Sequence, residues 1–446
     1  MYFIINLLGV LIFLAVGVLL SKKRKDIHWR GVGSLLALNV FIAWFLTSFP
    51  IGRDIVQAAA AGFTWLVSVA YEGIAFAFPD WVHVPQMNFF TSALLPILLV
   101  VPLFDILTYI GLLPFVIKWI GKALAFLTHE PKFESFFAIE MMFLGNTEAL
   151  AVSSLQLKRM KADRCLTLAM MSMSCVTAAL IGVYTKMMPA EFILTAVPLN
   201  VINALIVTNL LHPVKITEEE DTVARLDDGG KEREPFFSFL GNSILGAGKL
   251  VLIICANVIA FVALAKLIDM LLVLIHPAIT LENILGCIMF PFAWLLGLDS
   301  TEAFALAQYM GTKLVTNEFV VMLSVQDILS NYSRHMQGVL TVFITSFANF
   351  STLGMIIGCF KGLVDDNKND LISRNVGYML LSGILVSLLS AGLAGLFIWY
   401  AMHRVSAEQS AEIFLWKREK RVLTGSILDG KIYIVAGGNH AAGQQN

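Results

Sequence analysis

Residues 133–157 read FESFFAIEMMFLGNTEALAVSSLQL, an apolar helical run interrupted by Gly145-Asn146-Thr147-Glu148. Residues 299–325 read DSTEAFALAQYMGTKLVTNEFVVMLSV, a second such run that opens with an Asp299-x-x-Glu302 capping pair and is interrupted by Thr316-Asn317-Glu318. A helix broken at membrane depth leaves backbone groups that lipid does not satisfy. It persists only where protein or a water-filled cavity takes those bonds. Two such breaks in corresponding places of two halves of a chain point to the binding site of a transporter.

The composition demands a membrane. Of 446 residues, 58% are hydrophobic and 14% charged, with a mean hydropathy of +0.78. A soluble domain carries about 25% charged residues, so an ordinary soluble enzyme, a disordered chain and a nucleic-acid binder are all excluded. Lysine plus arginine (31) nearly balances aspartate plus glutamate (32), which implies no polyelectrolyte partner. The five cysteines show no CxxC spacing, so neither a zinc site nor a disulfide framework is indicated. No cofactor is implied. Gly246-Ala247-Gly248-Lys249 is followed by leucine, so there is no phosphate-binding GxxxxGK[ST] loop and no built-in ATP-driven pump. HExxH and TVGYG-like motifs are absent, against a metalloprotease and a potassium channel.

A spanning helix needs about 20 mainly apolar residues. Eight windows qualify, at roughly 2–21, 31–49, 92–117, 166–188, 191–211, 249–275, 338–360 and 377–402. The cluster Lys22-Lys23-Arg24-Lys25 belongs in the cytoplasm and puts the N-terminus outside. Counting onward, Lys158–Lys161, the polar stretch 213–236 and Lys361–Arg374 also fall inside; the tail, with Lys417, Arg418, Lys420 and Arg421, falls outside and breaks the rule. The stretch 52–80 reads as an amphipathic helix in the interface.

The two halves match. Each has an interrupted hairpin, then a span with polar residues in its middle (Ser172, Ser174 and Thr177; Ser346, Asn349, Ser351 and Thr352), then a further span. The expected fold is an all-α polytopic membrane protein of eight transmembrane helices plus two re-entrant helical hairpins in an inverted repeat. Its parts are scaffold and interfacial helices at 1–130, the first transport repeat at 131–212, and a cytoplasmic loop, scaffold span and interfacial helix at 213–298. The second transport repeat is 299–403 and a tail occupies 404–446.

A carboxylate in the bilayer costs about 2.5 kcal/mol or more, so Glu148 and Glu318 need partners, a cavity or a proton. Each stands at a helix break beside an amide or hydroxyl side chain. That donor and acceptor set suits a neutral, polyhydroxylated solute, and a carboxylate that accepts from two neighbouring hydroxyls can hold a ribose. Either glutamate alone could be a satisfied structural residue; two in matching positions favour function. Asn349 alone reads as a helix–helix hydrogen bond of about 0.6 kcal/mol. Glu140 and Asp105 read as structural.

Gly145-Asn146-Thr147-Glu148-Ala149, Lys313 to Val320 with its Asn-Glu-Phe-Val, and Phe347-Ala348-Asn349-Phe350-Ser351 resemble, in order, three motifs of the concentrative nucleoside transporters. Leu281 to Gly297 resembles the helix before their second hairpin. The resemblance implies a homotrimer in the bacterial inner membrane, with an elevator-like domain carrying nucleosides inward on a cation gradient. It implies that Asn146 and Thr147 contact the base, with Glu148 reaching it through water. Glu318 and Asn349 would hold the ribose hydroxyls, Phe347 would pack on the base, Thr352 would give a hydroxyl and Leu180 would line the base pocket. The family's glutamine is Asn146 here, one methylene shorter.

In sodium-coupled members an asparagine on the first hairpin and a serine or threonine on the fourth span complete the cation site. The resemblance puts Met141 and Cys175 at those positions. A thioether and a thiol are poor ligands for a hard cation, which prefers oxygen, so the expected coupling ion is a proton carried by Glu148. Two other readings are a membrane gate or receptor that binds a nucleoside-like ligand, and a carrier of another polar solute such as a modified nucleoside or free base.

Overall fold

The first apolar runs fold as their hydropathy dictates, Tyr2–Leu19 as α1 and Trp29–Thr47 as α2. Pro50 sits at a helix start, where its missing N–H is no loss, and opens α3 (Pro50–Ala77), followed by the short α4 (Pro79–Val82). The run expected over 92–117 instead stops at Tyr109. A π-turn from Phe90 leads into α5 (Ile97–Tyr109), and Gly111, with φ of 85°, turns the chain into α6 (Leu112–Thr128). This computed structural model describes residues 2–84, 87–217, 220–221, 234–276 and 279–398. The tail 404–446 and the end of the last expected span lie outside the described residues.

The first hairpin is α7 (Lys132–Leu144) and α8 (Asn146–Val152), continued by α9 (Ser154–Arg159). Its turn requires glycine: Gly145 has φ of 92°, and a Cβ there would lie 3.1 Å from that of Thr177. Glu140 ties the arms together by accepting from Ser153 Oγ at 2.8 Å. After α10 (Ala162–Ser172), α11 (Ala178–Met187), α12 (Ala190–Leu211), α13 (Phe236–Val273) and α14 (Leu281–Trp294) comes the second hairpin, α15 (Ser300–Val315) and α16 (Glu318–Val325). The described chain ends with α17 (Arg334–Ile344), α18 (Phe350–Leu363), α19 (Asp366–Arg374) and α20 (Val376–Ile398).

Seven helical stretches among the described residues are long and apolar enough to cross a membrane: α1, α2, α3, 90–109, α12, α13 and α20. The expected continuous spans 166–188 and 338–360 are corrected here. Each is broken, at 173–177 between α10 and α11 and at 345–349 between α17 and α18. The reason lies in the polar residues first read as mid-span. Thr177 accepts from the Ala179 N–H at 3.4 Å and Asn349 from the Thr352 N–H at 2.8 Å, so both start new helices as N-caps.

The basic loops gather at one end. Lys23 pairs with Asp163 (3.4 Å), Lys161 with Glu220 (2.5 Å) and Lys215 with Asp26 (2.9 Å), while Lys368 Nζ donates to the Lys158 carbonyl (2.8 Å). The C-terminal end of α6 lies there too, and its other end follows Tyr109, which reaches the start of α13. Tyr109 Oη donates to the Glu234 carbonyl at 2.9 Å, and His129 is 3.3 Å from an Arg30 nitrogen.

Glu130, between α6 and α7 at this end, is buried, accepts from Asn209 Nδ2 at 2.7 Å and lies 3.7 Å from His28 Nδ1. Burial outweighs the Asn209 hydrogen bond and raises its pKa from 4.5 to about 7. A carboxyl that keeps its proton more tightly when folded stabilises the fold fully below pH 4.5, and that contribution is lost as pH rises to about 7. By linkage it amounts to about 3 kcal/mol. Glu130→Gln should therefore flatten the pH dependence. The wild type in detergent should melt at a higher temperature at about pH 5 than at about pH 8, and the variant should lose most of that difference. Equal slopes for the two would assign the titration to another group.

Candidate functional site

The two hairpin tips and the two helix breaks meet at one cavity of ≈180 Å³, walled on its other side by α5 and α13. Four helices start there. Gly145, Thr177, Asn317 and Asn349 are the residues before α8, α11, α16 and α18, and all four line the cavity. Helix N-termini carry partial positive charge. Glu148 and Glu318 stand in the first turns of α8 and α16, where that charge favours a carboxylate.

Glu318 is almost fully buried, and each of its oxygens has one donor. Tyr184 Oη donates to Oε1 at 3.0 Å and Asn349 Nδ2 donates to Oε2 at 3.2 Å. A carboxylate takes about four hydrogen bonds in all, and the backbone N–H of Glu318 reaches it as well, so only part of that capacity remains for a ligand. Asn317 caps α16 by accepting from the Val320 N–H at 3.1 Å, which fixes the turn presenting Glu318.

Asn146 is the reverse case. It is 3% exposed, lines the cavity, and neither its Oδ1 nor its Nδ2 has a partner among the described residues. An unpaired buried amide costs about 1–3 kcal/mol, a cost that a ligand offering both a donor and an acceptor would remove. Glu148 is exposed to the cavity, and Leu180, Phe347 and Thr352 line it as well. The structure thus brings together Asn146, Glu148, Leu180, Glu318, Phe347, Asn349 and Thr352. The side chain of Thr147 lies outside the described residues.

Sequence reasoning passed over three members of the site. Tyr184 lies one helical turn beyond Leu180 on α11, and its ring packs edge-on against Phe319 at 5.3 Å. Helical spacing from Leu180 was the available signal. Asp105, read as structural, lines the cavity from α5 and accepts from Ser243 on α13. Asn257 on α13 also faces the cavity, with no motif around it.

At Met141 and Cys175, the two positions singled out in the sequence for the question of the coupling ion, the thiol of Cys175 donates to the Met141 carbonyl at 2.8 Å, and the Met141 sulfur accepts from Ser172 Oγ at 3.4 Å. One backbone oxygen at that point is therefore already engaged, and the side chains there present sulfur.

Residues 8–81 and 192–395 match the family descriptions "Na+ dependent nucleoside transporter N-terminus" and "C-terminus". The chain is 45% identical over 399 residues to the purine nucleoside transport protein NupG of Bacillus subtilis, covering 90% of this chain and 100% of that one. It is 25% identical to the nucleoside permease NupC of Helicobacter pylori, over 89% and 98% of the two chains. The solved structure of CNTnw in an inward-facing substrate-bound state shares the fold with a TM-score of 0.83 at 24% identity, covering 89% of this chain and 98% of that one.

Asn349 both caps α18 and steadies Glu318, and these roles separate by substitution. Asn349→Ala removes both and should cost about 1–3 kcal/mol. Asn349→Ser keeps a cap acceptor and should recover about 1 kcal/mol of that loss. Melting in detergent should rank wild type above Asn349→Ser and that above Asn349→Ala. Identical melting of the two variants would remove the cap from the account.

Proposed function

The chain belongs to the concentrative nucleoside transporter family, and from that membership and the chemistry of the cavity we propose that it imports nucleosides across a bacterial inner membrane together with protons. The observation that carries the cargo is Glu318. It is a buried carboxylate with part of its acceptor capacity open, suited to the adjacent hydroxyls of a ribose. Asn349 steadies it and contacts the same sugar, while Thr352 adds a hydroxyl nearby. The unpaired amide of Asn146 reads the base edge with Thr147, Glu148 reaches the base through water, and Phe347 and Leu180 pack on the base. Asn146 is shorter than the glutamine of the family motif and leaves more room for a larger base, in keeping with the name of the Bacillus subtilis relative.

Topology follows from parity. The polar stretch 213–236 keeps Glu234 on the side of Asp221, so both ends of α6 lie on the basic, cytoplasmic side. Two crossings, α2 and 90–109, then join Lys22 to His129, and α3 lies in the interface plane. With the broken pairs α10–α11 and α17–α18 counted as one crossing each, eight crossings and two re-entrant hairpins result. The hairpins and broken helices move as an elevator past α5 and α13. Large apolar residues of α13, such as Leu252 (65% exposed) and Ile259 (65%), face lipid or the other subunits of a homotrimer.

Proton coupling rests on Met141 and Cys175, which present sulfur where a sodium ion needs oxygen, and on Glu148 as a titratable group open to the cavity. The family description names Na+, so the test is direct. Uptake of labelled adenosine into proteoliposomes at fixed pH should be equal in sodium and choline media and should collapse with a protonophore. Strong sodium dependence would overturn proton coupling while leaving the cargo intact.

For the cargo, Glu318→Gln should weaken adenosine or uridine binding by about tenfold or more, the loss of a hydrogen bond to a charged group. It should weaken a 2′,3′-dideoxynucleoside far less, because that ligand has no hydroxyls for the carboxylate to hold. Equal losses for both would assign Glu318 to folding or gating.

A further inference from the structure

Lys313 lies in the last turn of α15 and is completely buried, yet no carboxylate pairs with it among the described residues. The charge that acts on it is the Glu318 carboxylate, which lies beyond ion-pair distance, so the immediate surroundings of this buried cation must replace water closely. They do. Its Nζ donates to the Phe343 carbonyl at 2.7 Å, to Ser346 Oγ at 2.6 Å and to Ser387 Oγ at 3.4 Å. An ammonium has three hydrogens, and these are three acceptors. Phe343 is in the final turn of α17, so its carbonyl belongs to the negative end of that helix. The Phe343 ring lies 4.6 Å below the ammonium and adds a cation–π contact.

We propose that Lys313 is a tethered cation that holds the second helix break assembled, and so acts as the positioning residue for the Glu318–Asn349 pair. The chain connectivity makes the clamp effective. Lys313 stands five residues before Glu318 on the hairpin, and its partner Ser346 stands three residues before Asn349 in the break. One ammonium thus fixes both strands whose tips meet at the 3.2 Å Asn349–Glu318 hydrogen bond. Ser346 Oγ is also 2.7 Å from Ser387 Oγ, which extends the clamp to α20. The first break has no such cation: there the Cys175 thiol bonds the Met141 carbonyl.

The proposal builds on the reading of the cavity as a nucleoside site, and its test has one readout with ligand and one without. Lys313→Ala leaves a hole of three oxygen acceptors that a small free ammonium fits. Measured in detergent, where no gradient exists, adenosine affinity should fall about tenfold in this variant, as for a lost charged hydrogen bond. Methylammonium should restore most of it, and tetramethylammonium, which has no N–H, should not. Lys313→Met fills the hole with an apolar chain, so methylammonium should leave it unimproved. The melting temperature of Lys313→Ala should rise with methylammonium in the same selective way with no nucleoside present. A wild type that binds no nucleoside would remove the cargo reading and leave this second readout standing. Wild-type affinity in Lys313→Met, or equal effects of methylammonium on both variants, would overturn the clamp. Should Lys313→Ala fail to assemble, Ser346→Ala and Ser346→Thr decide the matter. The first should weaken binding several-fold and the second recover it, and unchanged affinity in both would also overturn the clamp.

Discussion

Backbone polar groups freed inside a membrane must find partners, because each one left bare in hydrocarbon costs several kcal/mol. The chain interrupts its helices at four places that converge on one cavity. The polar residues at these breaks can be assigned to that constraint. The Phe343 carbonyl goes to Lys313, the Thr345 carbonyl to Asn200 and the Met141 carbonyl to Cys175. Among the donors, the N–H of Val320 goes to Asn317, that of Thr352 to Asn349 and that of Ala179 to Thr177. Remove the interruptions and these residues would be buried polar groups without a reason.

The same accounting locates the ligand. Caps and clamps absorb groups freed at the breaks, and among the described residues that line the cavity one buried amide is left over. Asn146 keeps two unpartnered amide atoms although it is buried. Glu318 keeps part of its acceptor capacity although two donors hold it in place. Both face the same ≈180 Å³ space, one from each hairpin. A solute with a flat polar edge at one end and adjacent hydroxyls at the other satisfies both residues at once, whereas a bare cation would take the carboxylate and amide oxygens and leave the Asn146 amide N–H group without an acceptor.

The hairpins were legible in the sequence because Gly145 and the polar tips interrupt otherwise uniform apolar runs. Membership of the cavity was legible for Asn146, Glu148, Leu180, Glu318, Phe347, Asn349 and Thr352 because the family motifs carry those positions, and the charge of the loops foretold which of them meet at one end. The breaks at 173–177 and 345–349 were not legible. They contain no glycine or proline, and Ser, Thr and Asn inside an apolar run read equally well as interhelical hydrogen bonds of about 0.6 kcal/mol. Only the cap hydrogen bonds of Thr177 and Asn349 distinguish the two cases. The end of the third span was misread because α6 is apolar enough to look like its continuation, and the left-handed turn at Gly111 decides it. Tyr184 escaped notice and Asp105 was read as structural because their roles depend on partners 134 and 138 residues away, Glu318 and Ser243.

The two halves each carry a broken hairpin and a broken helix but differ in charge, and that difference bears on how transport would be coupled. In the second repeat a covalently tethered ammonium occupies the break, so its geometry depends on nothing taken from solution. In the first repeat the corresponding contact is a neutral thiol on a carbonyl, a weaker bond. The groups nearby, Asn146 and Glu148, are respectively unpaired and open to the cavity. A conformational equilibrium responds to a ligand only through interactions that differ between its states. The second repeat holds its geometry before the cavity fills and offers a ligand the remaining acceptor capacity of Glu318; the first has an amide to pair and a carboxyl to titrate. On the proposed function, the second repeat therefore serves as the fixed half of the sugar site, and coupling between cargo and proton resides in the first.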